Sequence, residues 1–361
     1  MPGTDPTRKG AGLDGLHAFV AAMPKVELHV HLEGSIRPAT LLTLAERNGT
    51  PLPATDLEGL RDFYHFTDFD HFIRVYFTVS GCLKTVEDFG LIAYEFGADM
   101  ARQNVRYAEV TFTPHTNVDS TGLPFDAIMA GLNDGRARAQ VEFGVEMAWI
   151  LDIVRSMPET RHAVASWAAG AQDRGVVGLG LGGPEVGHPP EPFADAFAVA
   201  RAAGLHSVPH AGEVVGPESV WGALRSLKAE RLGHGVRSVE DPALVSYLHE
   251  HQVPLEVCPT SNLRLGVYDT YAVHPIRQLW AEGLYVTVNS DDPPMFETDL
   301  VAEYRVLAAH MGFSARELEQ LSLMALQASF LPESRKRELR DSFLSEFQRL
   351  RTQCLGDEEV A

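Results

Sequence analysis

A (β/α)8 barrel, with extra helices after its first strand and a helical tail after its last, is the fold class this sequence predicts. Three observations predict it. Short runs rich in Val, Leu and Ile alternate with segments of helical spacing, the pattern of a parallel sheet covered by helices. The strand-like runs number eight, the count at which such a sheet closes on itself. The side chains with most chemical capacity fall at the ends of those runs, the face on which barrels carry their active sites.

In chain order the predicted strands are 26–32 (VELHVHL), 105–114 (VRYAEVTFTP), 145–154 (VEMAWILDIV), 176–183 (VVGLGLGG), 206–212 (HSVPHAG), 231–236 (RLGHGV), 253–260 (VPLEVCPT) and 284–291 (LYVTVNSD). Helical spacing recurs at 86–103, 124–143, 190–203, 217–228, 240–251 and 273–282. An open doubly wound sheet is the competing architecture, and eight repeated strand–helix units favour the closed one. Residues 36–82 exceed what a simple barrel needs and are expected to form a lid-like helical insertion over its mouth. Within it the stretch 62–77 (DFYHFTDFDHFIRVYF) is dense in aromatics; core packing of a helix is the expected role of most, with one or two, Phe63 or Phe66, the candidates to wall a substrate pocket. Residues 298–352 read as C-terminal helices, and the polar, Gly-rich residues 1–20 as a flexible N-terminus. No linker separates a second unit, so 1–361 is expected to be one barrel domain.

Composition narrows the function classes. The chain is 45% hydrophobic, and 49 acidic against 30 basic side chains give a net charge of −19. A field of that sign repels nucleic acid and anionic membranes and tolerates a neutral or cationic small substrate. The three cysteines, Cys82, Cys258 and Cys354, are too few and too widely spaced for a disulfide framework or a zinc knuckle. With no secretory signal and no apolar stretch of membrane length, the expected location is the cytoplasm. Oligomeric state is not legible.

Four fragments carry the chemistry: His29-Val30-His31, His210-Ala211-Gly212-Glu213, His234 and Ser290-Asp291-Asp292-Pro293. In a strand the side chains alternate, so His29 and His31 aim to one side. His210, His234 and Asp291 fall at the ends of the fifth, sixth and eighth strands. Neutral imidazoles and a carboxylate suit Zn2+ or another borderline divalent ion, which lowers the pKa of a bound water. Glu213 is placed to protonate a substrate ring nitrogen without binding the metal. His234 orients the water or takes its proton, and Asp291 shares that work. Asp292 points elsewhere by alternation and accepts from a substrate N–H. The lysines are Lys9, Lys25, Lys84, Lys228 and Lys336. None lies at the end of the fourth strand to bridge two ions, so one metal per chain is expected. Gly180, Gly182 and Gly183 either make a tight turn or let the backbone approach a flat ring, with Gly183 N–H as donor. Ser261, in CPTSN, lacks the elbow of a catalytic nucleophile.

At these residues the chain resembles the adenosine deaminase family of metal-dependent hydrolases. The resemblance runs from Pro24 to Leu344 and is carried by PKVELHVHLEGSI, YAEVTFTP, GLGLGGPE, HAGE, RLGHG, VCPTSN and VNSDDP, in that order. It implies that His29, His31, His210 and Asp291 hold one Zn2+, with His31 and Glu33 also facing the substrate. It implies that Glu213 protonates N1 of a 6-aminopurine, His234 orients the attacking hydroxide, Asp292 meets N7 and Gly183 meets N3. Attack at C6 then releases ammonia. Many adenosine-using members have Asp where this chain has Glu33, and their fourth strand carries acids where this one has Gly180 and Pro184. The text is closer to bacterial members acting on adenosine or on 5′-extended nucleosides such as 6-amino-6-deoxyfutalosine. Deamination of free adenine is the alternative, and a catalytically silent barrel the reading from another class.

Overall fold

The structure, a computed structural model, describes residues 6–355. All eight expected strands form: β1 (Lys25–His31), β2 (Val105–Phe112), β3 (Glu146–Val154), β4 (Val176–Gly182), β5 (His206–Ala211), β6 (Leu232–His234), β7 (Leu255–Val257) and β8 (Val286–Val288). They pair in parallel in the order β1 to β8. An isolated parallel bridge between Val30 and Asp291 brings the end of the last strand against the first. There His31 N donates to Asp291 O at 2.9 Å and Asp291 N to His29 O at 3.0 Å. The barrel is thus sewn shut at the level of the candidate ligands.

β6, β7 and β8 are shorter than the sequence predicts, because the chain turns sharply where its chemistry begins. His234 and Asp291 both adopt positive φ, +60° and +63°, and Cys258 starts a helix with Pro259 at its first position. Left-handed backbone at non-glycine residues costs free energy and collects at functional sites. Helices not anticipated include Pro114–Thr121 after β2 and Arg161–Ala169 between β3 and β4, the second a short Ala-rich stretch with a weak apolar period.

The N-terminal segment also departs from expectation. Residues 1–5 lie outside the described part, but Pro6–Ala22 is a helix, α1, and not a flexible tail. Leu16, Phe19, Val20 and Met23 make an apolar stripe at helical spacing, with Phe19, Val20 and Met23 fully buried. Phe19 meets Phe347 of the C-terminal helix Glu333–Cys354 at a ring separation of 6.5 Å. The insertion forms three helices, α2 (Pro38–Asn48), α3 (Leu57–Phe63) and α4 (Phe69–Ser80), and α5 (Val86–Arg102) leads into β2. Asp68 caps α4 by accepting from His71 N. Among the described residues, no helix is long and apolar enough to cross a membrane.

Charged side chains fill part of the barrel interior. Arg231 is 1% exposed and sits between Glu109 and Glu256, 2.6 Å from each. Burial pulls the Arg231 guanidinium down, but the two carboxylates outweigh it. A buried pair is tolerated only when its hydrogen bonds are met. Arg231 Nε donates to Glu256 and Nη1 to Ala328 O, its contact with Glu109 is an ion pair, and Glu256 spends its second oxygen on His29.

Candidate active site

The mouth of the barrel gathers the four sequence fragments. His31 Nε2 lies 3.2 Å from His210 Nε2 and 3.4 Å from Asp291 Oδ1, and His29 Nε2 lies 3.6 Å from the same oxygen. Glycine at 233 permits this crowding, since a Cβ there would stand 2.7 Å from His29 Cε1 and 3.1 Å from His210 Cα. Burial lowers His31 to about 4 and holds His210 well below its ordinary value, so both are neutral donors. Burial also opposes a charge on His29, yet Asp291 and Glu256 outweigh it and lift the ring to about 10. A positive charge is therefore favoured at this point.

The donor set fits a metal. His29 Nδ1 meets the Glu256 carboxylate at 2.9 Å, which only accepts, so a proton stays on Nδ1 and Nε2 is the atom whose proton a metal would displace. That Nε2 is buried without a partner, as is His210 Nδ1. Zinc–ligand bonds of ~2.0–2.1 Å put neighbouring tetrahedral donors about 3.3–3.4 Å apart; the His31–His210, His31–Asp291 and His29–Asp291 pairs stand at 3.2, 3.4 and 3.6 Å, while the mutually close donor groups are His29, His210, His234 and Asp291, and His31, Asp291 and Asp292.

His234 is close enough to compete as a ligand, because its ring falls within the same donor cluster as His29, His210 and Asp291. Its tautomer argues otherwise. Ile276 N–H donates to His274 Nδ1 at 3.3 Å, so His274 carries its proton on Nε2. That proton goes to Asn262 Oδ1 at 3.0 Å, which turns the Asn262 amide nitrogen toward His234 Nδ1 at 3.3 Å. His234 then presents Nε2–H to the site, 3.6 Å from Glu213 Oε1 and 3.9 Å from Asp291 Oδ2. A backbone amide thus fixes His234 as a hydrogen-bond donor. Burial lowers it to about 3, which keeps it neutral.

Glu213 is held by a residue that sequence reading passed over. The Glu185 carboxylate accepts from the backbone N–H groups of Gly212, Glu213, Val214 and Val215 at 2.7–3.1 Å, and from Ser219 Oγ at 2.6 Å. A single anion so clamps the turn that follows β5. Burial, then the negative charges of Asp291 and Glu185, push Glu213 well above the usual carboxylate range. Its protonated form is the one favoured.

Above this floor opens a cavity lined by His31, Thr113, Asp152, Val154, Gly183, His210, Glu213, His234, Leu265, Asp291 and Asp292 and roofed by α4. The roof is one stripe of that helix, Phe69, Phe72, Ile73, Tyr76 and Phe77, at the spacing of a single helical face.

The chain's relatives agree with this geometry. The model of the family described as adenosine deaminase matches residues 24–345. The chain belongs to the adenosine deaminase family. It is 46% identical over 331 residues to the aminodeoxyfutalosine deaminase of Streptomyces coelicolor, covering 90% of this chain and 85% of that one. The adenine deaminase structure from Arthrobacter aurescens superposes with a TM-score of 0.86 at 35% identity, covering 90% of this chain and 99% of that one. An amidohydrolase from Burkholderia ambifaria, solved with bound zinc, gives a TM-score of 0.88 at 29% identity, with 95% of each chain covered. The chain is a hydrolytic deaminase of this family.

Set against the residues expected from sequence, the family's barrel mouth brings together His29, His31, His210, Glu213, His234, Asp291 and Asp292, with Gly183 on the cavity wall at φ +83°. Asp292 is buried with Oδ1 unpartnered, and burial followed by the charge of Asp291 raises it well above its ordinary value. Glu33 departs from expectation. It is fully buried and does not line the cavity. Its oxygens are taken by Asn117 Nδ2 at 2.7 Å, Thr113 N at 3.1 Å and Tyr76 OH at 3.1 Å, so it braces the α4 roof against the end of β2. Phe63 and Phe66 are likewise not walls. Phe66 packs on Phe72 and Phe296, and Phe63 on Tyr64. Ser261, discounted as a nucleophile, donates to Asp291 Oδ2 at 2.6 Å and steadies that carboxylate. Sequence reasoning missed Glu185, Glu256, Asn262, Asp152 and Thr113. The only textual signal for the first three was their place inside the motifs GGPE and LEVCPTSN.

Proposed function

We propose that this chain is a metal-dependent deaminase of 6-aminopurine nucleosides, acting on adenosine or a 5′-extended analogue such as 6-amino-6-deoxyfutalosine. The observation that carries the reading is the convergence of three imidazoles and Asp291 at metal-like spacing, directly beneath a cavity that also holds Glu213. His29, His31, His210 and Asp291 would hold one Zn2+ ion. Bound there, it would supply Lewis acidity and lower the pKa of a water.

The remaining steps belong to the chain's own groups. Glu213, favoured in its protonated form, donates to N1 of the purine and so makes C6 electrophilic. His234 holds the attacking oxygen with Nε2–H, and Asp291, steadied by Ser261, is the nearby acceptor for its proton. Gly183 N–H meets N3 and Asp292 meets N7, which fixes the ring in plane. Water adds at C6; the proton taken by Asp291 passes to the amino group, the C6–N bond breaks to release ammonia, and the new hydroxyl's proton returns to Glu213, leaving the 6-oxopurine. The α4 stripe excludes water from above. None of the residues lining the cavity is a lysine or arginine, which favours an uncharged sugar end over a 5′-phosphate. The 46% identity to an aminodeoxyfutalosine deaminase supports a nucleoside. The likeness to the Arthrobacter adenine deaminase supports the second reading, deamination of free adenine.

Ammonia release from adenosine, 6-amino-6-deoxyfutalosine and adenine by the zinc-loaded protein separates the two readings. A higher kcat/KM for one of the nucleosides is expected. Preference for adenine would contradict the nucleoside reading.

A further inference from the structure

One acid in the cavity has no work in the scheme above. Asp152 lies two residues before the end of β3, is 4% exposed and lines the cavity, and its Oδ1 is buried with no partner. It belongs to neither group of donors close enough to share a metal. The neighbouring strand is built around it. Asp152 registers with Gly180. A Cβ on Gly180 would stand 3.1 Å from Asp152 Cβ, and one on Gly182 would stand 2.7 Å from Asp152 Oδ2. The glycine run of β4 therefore makes room for a carboxylate and does more than turn the chain. An unpaired buried acceptor costs free energy until a donor arrives, and no protein group fills the role at Oδ1.

We infer that Asp152 is a specificity-determining residue whose carboxylate accepts a hydrogen bond from a sugar hydroxyl of the substrate. The inference rests on the nucleoside reading. In a 6-aminopurine nucleoside N9 carries no hydrogen, and the exocyclic amine sits at the reacting end above Glu213 and His234. The sugar hydroxyls are then the donors left for a carboxylate that stands beside Gly182 on the β4 side of the cavity. The neighbouring carboxylates Asp291, Asp292 and Glu213 on the same cavity make a cationic or neutral donor the suitable partner, and exclude an anion at this position.

The test compares adenosine with its 2′-, 3′- and 5′-deoxy analogues on the wild type, Asp152→Ala and Asp152→Asn, with zinc content measured for each. The wild type is expected to lose about 10- to 100-fold in kcat/KM on one deoxy analogue, the range of a hydrogen bond to a charged group. In Asp152→Ala, adenosine falls to the level of that analogue and the discrimination vanishes, with one zinc per chain retained. Asp152→Asn keeps the volume and shows the discrimination reduced, which covers the case in which the alanine variant does not fold. If adenosine and all three analogues fall together by one factor, or zinc is lost, Asp152 is part of the reacting end and the inference is overturned. Wild-type preference for nucleosides with unaltered discrimination in both variants overturns Asp152 alone. Turnover of adenine but of no nucleoside overturns the inference and the nucleoside reading together.

Discussion

The floor and the walls of the barrel mouth are built on opposite principles. On the floor each working side chain is held in place by a protein partner, even where its metal-facing or substrate-facing atom is left open. His29 is tied to Glu256, Asp291 to Ser261, His234 to Asn262 and the Glu213 turn to Glu185. On the walls and roof, Phe69, Phe72, Ile73 and Phe77 supply apolar surface, and Asp152 keeps an oxygen without a partner. The difference teaches how the site divides its labour. Groups that must hold a metal or move a proton are fixed before substrate arrives, because preorganised dipoles avoid reorganisation during reaction. Groups that choose the substrate are left for the substrate to satisfy.

This contrast makes graded predictions. The largest effect belongs to the floor. Glu213→Gln keeps the shape of the side chain and removes its acidity, so kcat should fall by roughly 10²–10⁴-fold while the zinc-to-protein ratio stays at one. Steady-state kinetics with metal analysis on the same sample checks both halves, and parallel loss of metal would show Glu213 to be a ligand instead. Next comes the tautomer relay. Asn262→Asp replaces a donor by an acceptor facing His234 Nδ1, which moves the imidazole proton off Nε2. A fall in kcat of roughly 10²–10³-fold, the range for removing one positioned donor, is expected with KM little altered. Retained activity would mean that His234 works as an acceptor.

Smaller effects sharpen the boundary between the two regions. Glu185→Gln leaves one acceptor oxygen facing several amide donors, and each lost hydrogen bond to that charge is worth roughly 1.5–3 kcal/mol. Thermal melting should show a lower Tm, and kcat should suffer more than KM as the Glu213 turn loosens. The least costly change is in the roof. Amide exchange across α4, residues 69–80, should slow when a tetrahedral transition-state analogue binds, if the helix acts as a lid. Identical exchange with and without ligand would make α4 a fixed wall.

The same contrast explains what the text of the chain could reveal. The barrel was legible because eight apolar runs with helical spacers leave few other architectures. The floor was legible because a metal site needs particular donors, and His29, His31, His210, Glu213, His234 and Asp291 stand in recognisable fragments. Glu185 and Asn262 lay in those fragments too, but their roles depend on backbone amides that only the fold brings near. The walls were not legible. Phe63 and Phe66 were chosen from aromatic density, whereas the cavity is decided by which face of α4 turns inward, one turn further along. Glu33 looked like a substrate contact by its place after the His pair. The extra methylene and the nearby Asn117 and Tyr76 instead carry it into the protein, where burial raises it to about 7. Asp152 had no motif around it, and its meaning came only from its register beside Gly180.

The central claim is tested most directly by a crystal structure of the zinc-loaded protein with anomalous data collected on both sides of the zinc edge. The account predicts a single zinc peak within bonding distance of His29 Nε2, His31 Nε2, His210 Nε2 and Asp291, with His234 standing off it. A second metal, a peak bonded to His234 in place of His31, or no peak among these side chains would contradict it.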